Sequence, residues 1–156
     1  WSTEKQCFPH PEMAKDYPKT RIKSDWKYLN NGGYGGSLAL MIEFIDKYIG
    51  KLPMNANCQL ETMEAFLQAK KDGFPIELDY KCKLFQSIAF DPQKPEKGEE
   101  IDKASFSIHM DNKGKPKYTG TDFRIKDGLV INKMTKTTPA ILHGNGGTPM
   151  EWIYQL

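Results

Sequence analysis

Apolar residues recur at helical spacing in two stretches of this chain. Between residues 37 and 49, Met41, Phe44, Ile45, Tyr48 and Ile49 fall on one face of a 3.6-residue period, which predicts a helix with those side chains in the core. Gly50 and Pro53 close it. Residues 59–71 repeat the pattern with Leu60, Met63, Phe66 and Leu67 facing inward, Asn57 stands where an N-cap belongs, and Gly73 with Pro75 ends the run. Pro11 and Glu12 suit the first turn of a shorter helix towards Asp16, which Tyr17-Pro18 stops. Strand patterns appear at 26–30, 76–79 and 84–90, and the last two are expected to join one sheet with a face against the helices.

The remaining segments are punctuated by turn formers. Asn31-Gly32-Gly33-Tyr34-Gly35-Gly36 reads as a loop of close backbone approach, a set of positive-φ positions, or a hairpin turn. Residues 91–138 read as an exposed excursion or hairpin insertion. They open on a polar connection at 91–100, and apolar runs at 105–109 and 128–132 flank a turn at 111–114. His109 sits at an alternating position there and suits a structural or surface role.

Composition narrows the function classes. The 156 residues suit one domain, or a large piece of one, with a sizeable core. Lysine and arginine number 22 against 20 acidic residues, a net charge of +2. The lysines are spread along the chain, so nothing calls for nucleic acid or an anionic membrane as partner. The longest apolar stretch, 38–45, is interrupted by Glu43 and is far shorter than the roughly 20 residues of a spanning helix. Cys7, Cys58 and Cys82 are an odd set without metal-type spacing, which argues for free thiols. No targeting run is visible. The chain starts at Trp1 without an initiator methionine and reads as a processed chain or a fragment.

The chemistry concentrates where an apolar strand, Pro139-Ala140-Ile141-Leu142, delivers His143 into Gly144-Asn145-Gly146-Gly147. A neutral imidazole binds a divalent cation through one nitrogen, and glycines let backbone N–H groups approach an anion closely. A buried strand histidine before an ordinary turn is the alternative.

Taken in order, Glu4, Cys7-Phe8-Pro9-His10-Pro11, Tyr17-Pro18, Tyr28-Leu29-Asn30-Asn31-Gly32-Gly33-Tyr34-Gly35-Gly36, Leu78-Asp79-Tyr80-Lys81-Cys82-Lys83-Leu84-Phe85-Gln86 and His143-Gly144-Asn145-Gly146 closely resemble the glycosyltransferase domain of the procollagen lysyl hydroxylase and procollagen glycosyltransferase group and its bacterial and viral relatives. The resemblance runs over almost the whole chain. It implies an α/β, GT-A-like fold, a mixed sheet flanked by helices, that binds a UDP-sugar with a divalent cation, typically Mn2+. It further implies His143 as metal ligand, Gly144, Asn145 and Gly146 against the diphosphate, and Asn30, Gly32 and Gly33 near the donor sugar. Glu4 and Phe8 would line the pocket. Asp79 would fix strand and loop geometry beside it, or serve as a turn or cap carboxylate. The implied reaction moves a hexose, galactose or glucose, to a hydroxyl of a protein acceptor (hydroxylysine-like) or a glycan.

Two departures from the family pattern stand out. No Asp-X-Asp pair occurs in these residues. In the family that pair lies in the N-terminal nucleotide-binding half, so residues 1–156 are expected to be one domain forming the C-terminal portion of a GT-A domain, with the missing half as a possible partner. Relatives also carry an acidic cluster ending in Asp-Gln before the second helix, where this chain reads Asn55-Ala56-Asn57-Cys58-Gln59. Asn57 and Gln59 remain as catalytic candidates, although neither amide is a base comparable to a carboxylate. Three readings follow: a metal-dependent sugar transferase, a degenerate GT-A module that binds a nucleotide sugar or glycan without turnover, or an unrelated small domain. The last leaves the ordered motifs unexplained.

Overall fold

The computed structural model describes residues 1–50, 56–88, 107–110, 116–119, 122–145 and 150. The chain is mixed α/β and divides into two compact units, Trp1–Lys81 and Cys82–Leu156.

In the first unit, strand β1 (Ser2–Glu4) pairs antiparallel with β2 (Tyr28–Asn30), Ser2 opposite Asn30 and Glu4 opposite Tyr28. A 3-10 helix over Pro11–Asp16, about two turns long, precedes Tyr17, as the proline pair around it predicts. Tyr17 does more than stop that helix. Its ring is buried against Phe66 and Tyr28, and its hydroxyl accepts the N–H of Leu29 at 3.3 Å, tying β2 to the core.

Helix α1 (Leu38–Phe44) begins where the periodicity places it and passes into a π-helical turn, Ile45–Ile49, ended by Gly50 at φ +61°. The π turn changes the expected face. The N–H of Gly50 bonds the carbonyl of Ile45, five residues back. Wider winding of this kind takes residues out of register with a 3.6 period. Of the predicted stripe only Phe44 is fully buried; Met41, Tyr48 and Ile49 are half-buried, and Ile45 is 43% exposed.

Helix α2 (Cys58–Lys71) agrees with the reading of the sequence. Asn57 Oδ1 accepts the N–H groups of Gln59 and Leu60, Met63, Phe66 and Leu67 are buried with Leu60 at the rim, and Gly73 adopts φ +74° beyond the last turn. These side chains form one core with Leu29, Phe44, Ile76 and Leu78.

Segment 76–79 is not the full strand its alternation predicts. Ile76 and Leu78 are buried as expected, and Trp1 exchanges bonds with the segment in the manner of a parallel bridge: its nitrogen donates to Glu77 O, and Asp79 N donates to Trp1 O. The pairing goes no further, because the N–H groups of Ile76 and Tyr80 turn back to Phe74 O and Leu78 O two residues away.

The second unit contains three two-stranded ladders among the described residues. β3 (Phe85–Ile88) lies parallel to β8 (Ile141–Gly144), so it joins β8 rather than sharing a sheet with 76–79. Between them in sequence, β4 (Ser107–Met110) pairs antiparallel with β5 (Pro116–Thr119), and β6 (Phe123–Lys126) pairs with β7 (Leu129–Asn132). Residues 107–110, which overlap the first apolar run, thus pair with 116–119, and 129–132 of the second with 123–126. The expected turn at 111–114 and the connection at 91–100 lie outside the described residues. Among the described residues no helix is long and apolar enough to cross a membrane.

Candidate functional site

In the first unit the residues singled out in the sequence converge on one carboxylate. Glu4 ends β1 and is 8% exposed. Asn30, the last residue of β2, points its amide nitrogen at Glu4 Oε2 (3.4 Å), while its Oδ1 accepts the N–H of Gly32 at 2.9 Å in an Asx turn. Gln59, in the first turn of α2, donates through Nε2 both to Glu4 Oε1 (3.0 Å) and to Leu29 O (2.6 Å). Its Oε1 accepts the N–H of Asn31 at 2.8 Å. A strand-end carboxylate, a strand-end amide and a helix-start amide are thus closed into one network at the root of the glycine loop.

The loop is held from both sides. Asn31 Nδ2 reaches Cys58 O (3.4 Å), and the carbonyl of Gly33 accepts the N–H of Ser2 at 2.7 Å. Tyr34 stacks on Trp1 with ring centroids 5.2 Å apart. Gly35 and Gly36 then line a cleft with Trp1, Leu40, Phe44 and Phe74. A Cβ at Gly36 would meet open space. Positive φ among the described glycines belongs to Gly50, Gly73 and Gly128, none of them in this loop.

Burial sets the electrostatics. Desolvation pushes the Glu4 carboxyl up to about 7, against a smaller lowering by the Asn30 hydrogen bond. Burial likewise raises the Cys7 thiol, to about 11, and the Tyr17 phenol, so both stay protonated at neutral pH. Glu4 therefore changes charge near neutrality inside a ring of amide donors, which suits a group that orients or exchanges a proton with a bound hydroxyl.

The other predicted site residues are placed as follows. Phe8 is 60% exposed. Asp79 engages through its backbone: its N–H donates to Trp1 O, and its carbonyl accepts the Thr3 hydroxyl at 3.1 Å. Asn57 caps α2 through the same oxygen it would offer a ligand. Cys58 is exposed with a free thiol. Asn55 and Gly146 lie outside the described residues. Asn31 was not singled out in the sequence as a contact residue; a backbone N–H bonded to a side chain far along the chain leaves no mark in a periodic pattern.

In the second unit, His143 is the third residue of β8, opposite Ser87 of β3, and is half-buried. Desolvation lowers its pKa, so the imidazole is neutral at pH 7 and has a nitrogen lone pair to offer. Gly144 pairs with Ile88, and the N–H of Asn145 donates to Ile88 O at 2.8 Å, extending the ladder by one bond. β3 is in turn fixed by a fully buried pair. Asn132 Nδ2 donates to Gln86 Oε1 at 2.8 Å, and Asn132 Oδ1 accepts the N–H groups of Met134 and Thr135. As a metal donor His143 fits one coordination position. Among the described residues no three His, Cys, Asp or Glu side chains gather to hold an ion.

Comparison with known proteins places this geometry in context. The PLOD GT domain family matches residues 1–154. The procollagen-lysine,2-oxoglutarate 5-dioxygenase of Drosophila melanogaster is 28% identical over 151 residues, covering 94% of this chain and 17% of that protein. An uncharacterized protein of Acanthamoeba polyphaga mimivirus is 25% identical over 146 residues, covering 94% of this chain and 24% of its own length. The mouse procollagen-lysine,2-oxoglutarate 5-dioxygenase 2 is 30% identical over 82 residues, covering 52% of this chain and 11% of the mouse protein. The chain thus spans less than a quarter of the length of each of these relatives.

Proposed function

Because the chain belongs to the PLOD GT domain family, we propose that it forms the C-terminal part of a GT-A glycosyltransferase domain that moves a hexose from a UDP-sugar to a hydroxyl of a protein or glycan acceptor. The observation that carries this reading is the closed network of Glu4, Asn30 and Gln59 at the root of the glycine loop. Residues marked as site residues by the family pattern meet there, although β1, β2 and α2 are separate in sequence.

The roles follow from the chemistry of each group. The loop from Asn30 to Gly33 presents backbone to the donor sugar, held in place by the Asx turn and by Gln59. Gly144 and Asn145 present small, backbone-rich surface to a diphosphate, and His143 offers one neutral nitrogen to a divalent cation such as Mn2+. The cation, when bound, would offset the negative charge that develops on the departing nucleotide diphosphate. The remaining metal ligands would come from an Asp-X-Asp half that these residues do not contain. Glu4, titrating near neutrality, orients a sugar or acceptor hydroxyl at the edge of its buried network.

A second reading, binding without turnover, is favoured by the start of α2. Where the family pattern carries acids, Asn57 is engaged as a helix cap and Cys58 is an exposed cysteine. The two readings separate in an assay of UDP-galactose and UDP-glucose hydrolysis. The chain is joined for this purpose to the segment that precedes the matched residues in the fly relative. Sugar release above the rate of a His143→Ala control supports transfer; donor binding with release at the control rate supports the degenerate module.

A further inference from the structure

Gln59 stands out because one amide meets three segments at once. Its two N–H bonds go to Glu4 on β1 and to Leu29 O on β2, and its oxygen takes the N–H of Asn31 at the start of the glycine loop. The bonding fixes which end of the amide is oxygen, since two acceptors face the nitrogen and one donor faces the oxygen. Asn57 Oδ1 caps the N–H of Gln59 itself, so the side chain springs from an ordered first turn.

We propose that Gln59 is a positioning residue of the site: its amide locks the Glu4 carboxylate and the Asn30 to Gly33 loop into one arrangement, so that the protonation of Glu4 is felt by the loop. For its purpose this role rests on the sugar-transfer reading; for its test it does not. A carboxylate accepts both N–H donors, from Gln59 and Asn30, without penalty, whereas a protonated Glu4 presents one O–H to a ring of donors and weakens one of these bonds. A proton on Oε1 weakens the bond of the amide that also holds Leu29 and Asn31, and a proton on Oε2 weakens that of Asn30, whose own oxygen holds Gly32. Cys7 and Tyr17 interact electrostatically with Glu4, and burial keeps both neutral through this range. The Trp1 amine, which burial lowers from its usual value, also changes charge over this range; it bonds Glu77 O outside the Gln59 network, and a Glu4→Gln chain separates its contribution from that of Glu4.

The test is carboxyl and amide NMR on the full 156-residue chain across pH 5 to 9. In the wild type, the Gln59 side-chain amide and the Asn31 backbone amide are expected to shift with the same midpoint as the Glu4 carboxyl. In Gln59→Met, which keeps the length but donates nothing, the Glu4 midpoint is expected to rise by about one pH unit as a donor to the charged form is lost. Protection of the Asn31 amide from hydrogen exchange should fall at least about tenfold. Gln59→Glu should not restore either property, because its carboxylate would face that of Glu4. A Gln59 amide that does not titrate with Glu4 in the wild type overturns the proposal, whether or not the variants fold. So does an unchanged Glu4 midpoint in a folded Gln59→Met chain. If these results hold while the joined domain binds no UDP-sugar, the sugar-transfer reading falls and the positioning role stands.

Discussion

Raising the pH from 4 to 8 is expected to cost the native state on the order of 3 kcal/mol through Glu4 alone. Its folded carboxyl titrates at about 7 against a reference of 4.5, because burial disfavours the charged form. A raised acid of this kind contributes stability that is fully present below the unfolded value and is lost as pH climbs through the folded one. Between about 4.5 and 7 the unfolded chain has released this proton while the folded chain still holds it. Urea unfolding followed at α2, compared between the wild type and Glu4→Gln, isolates the contribution, since other carboxylates cancel in the difference. The difference curve should slope across that window and flatten on either side. Parallel curves for the two proteins would mean that Glu4 is ionised in the folded state as easily as in the unfolded one.

The second large effect is expected in the other unit. Asn132→Ala removes a fully buried amide that serves Gln86 Oε1 and the N–H groups of Met134 and Thr135. Leaving buried polar groups without partners costs roughly 1–3 kcal/mol each, with partial relief from water at the turn, so a loss of about 3 kcal/mol is expected. The consequence reaches the site. Gln86 lies on β3 opposite Leu142, beside the Ser87–His143 pair, so loosening it weakens the ladder that sets His143. Hydrogen exchange of β3 and β8 amides measures this. Exchange in both strands should accelerate together; acceleration confined to 132–137 would show that the buried amide supports its own turn and nothing more.

What the sequence disclosed depended on whether the cause was local. Helix α2 was legible because its apolar spacing, the Asn57 cap and the positive-φ Gly73 all act within a few residues. The α1 face was misread at Ile45, since the switch to π winding changes the period without a proline or glycine to announce it. Segment 76–79 showed the right alternation, yet its backbone donors close local turns, and alternation records burial rather than pairing. The parallel partnership of β3 with β8 joins segments far apart in the chain, which no window can reveal.

The candidate site was legible in the same uneven way. The motifs named Glu4, Asn30, Gly32, Gly33 and Gln59, and the structure brings these together. Nothing in the pattern of residues marked Gln59 as the bridge or Asn31 as sharing in it, because hydrogen bonds from one amide to three segments have no periodic trace. His143 was visible from the apolar strand and the glycines that follow it, and it is half-buried, with desolvation lowering its pKa.

We propose that residues 1–156 contribute His143, Gly144 and Asn145 to a metal-dependent nucleotide-sugar site whose acids come from an N-terminal half. Calorimetric titration of UDP with and without Mn2+ tests it most directly. It should be run on the chain alone and on the chain joined to the preceding segment of the fly relative, each with His143 and with His143→Ala, after a cooperative thermal transition has shown each to be folded. Manganese-dependent binding is expected in the joined form, at least about tenfold weaker when the imidazole is removed, with little binding by the chain alone. UDP affinity in the joined form that is indifferent to both manganese and His143 would contradict it, as would no binding at all.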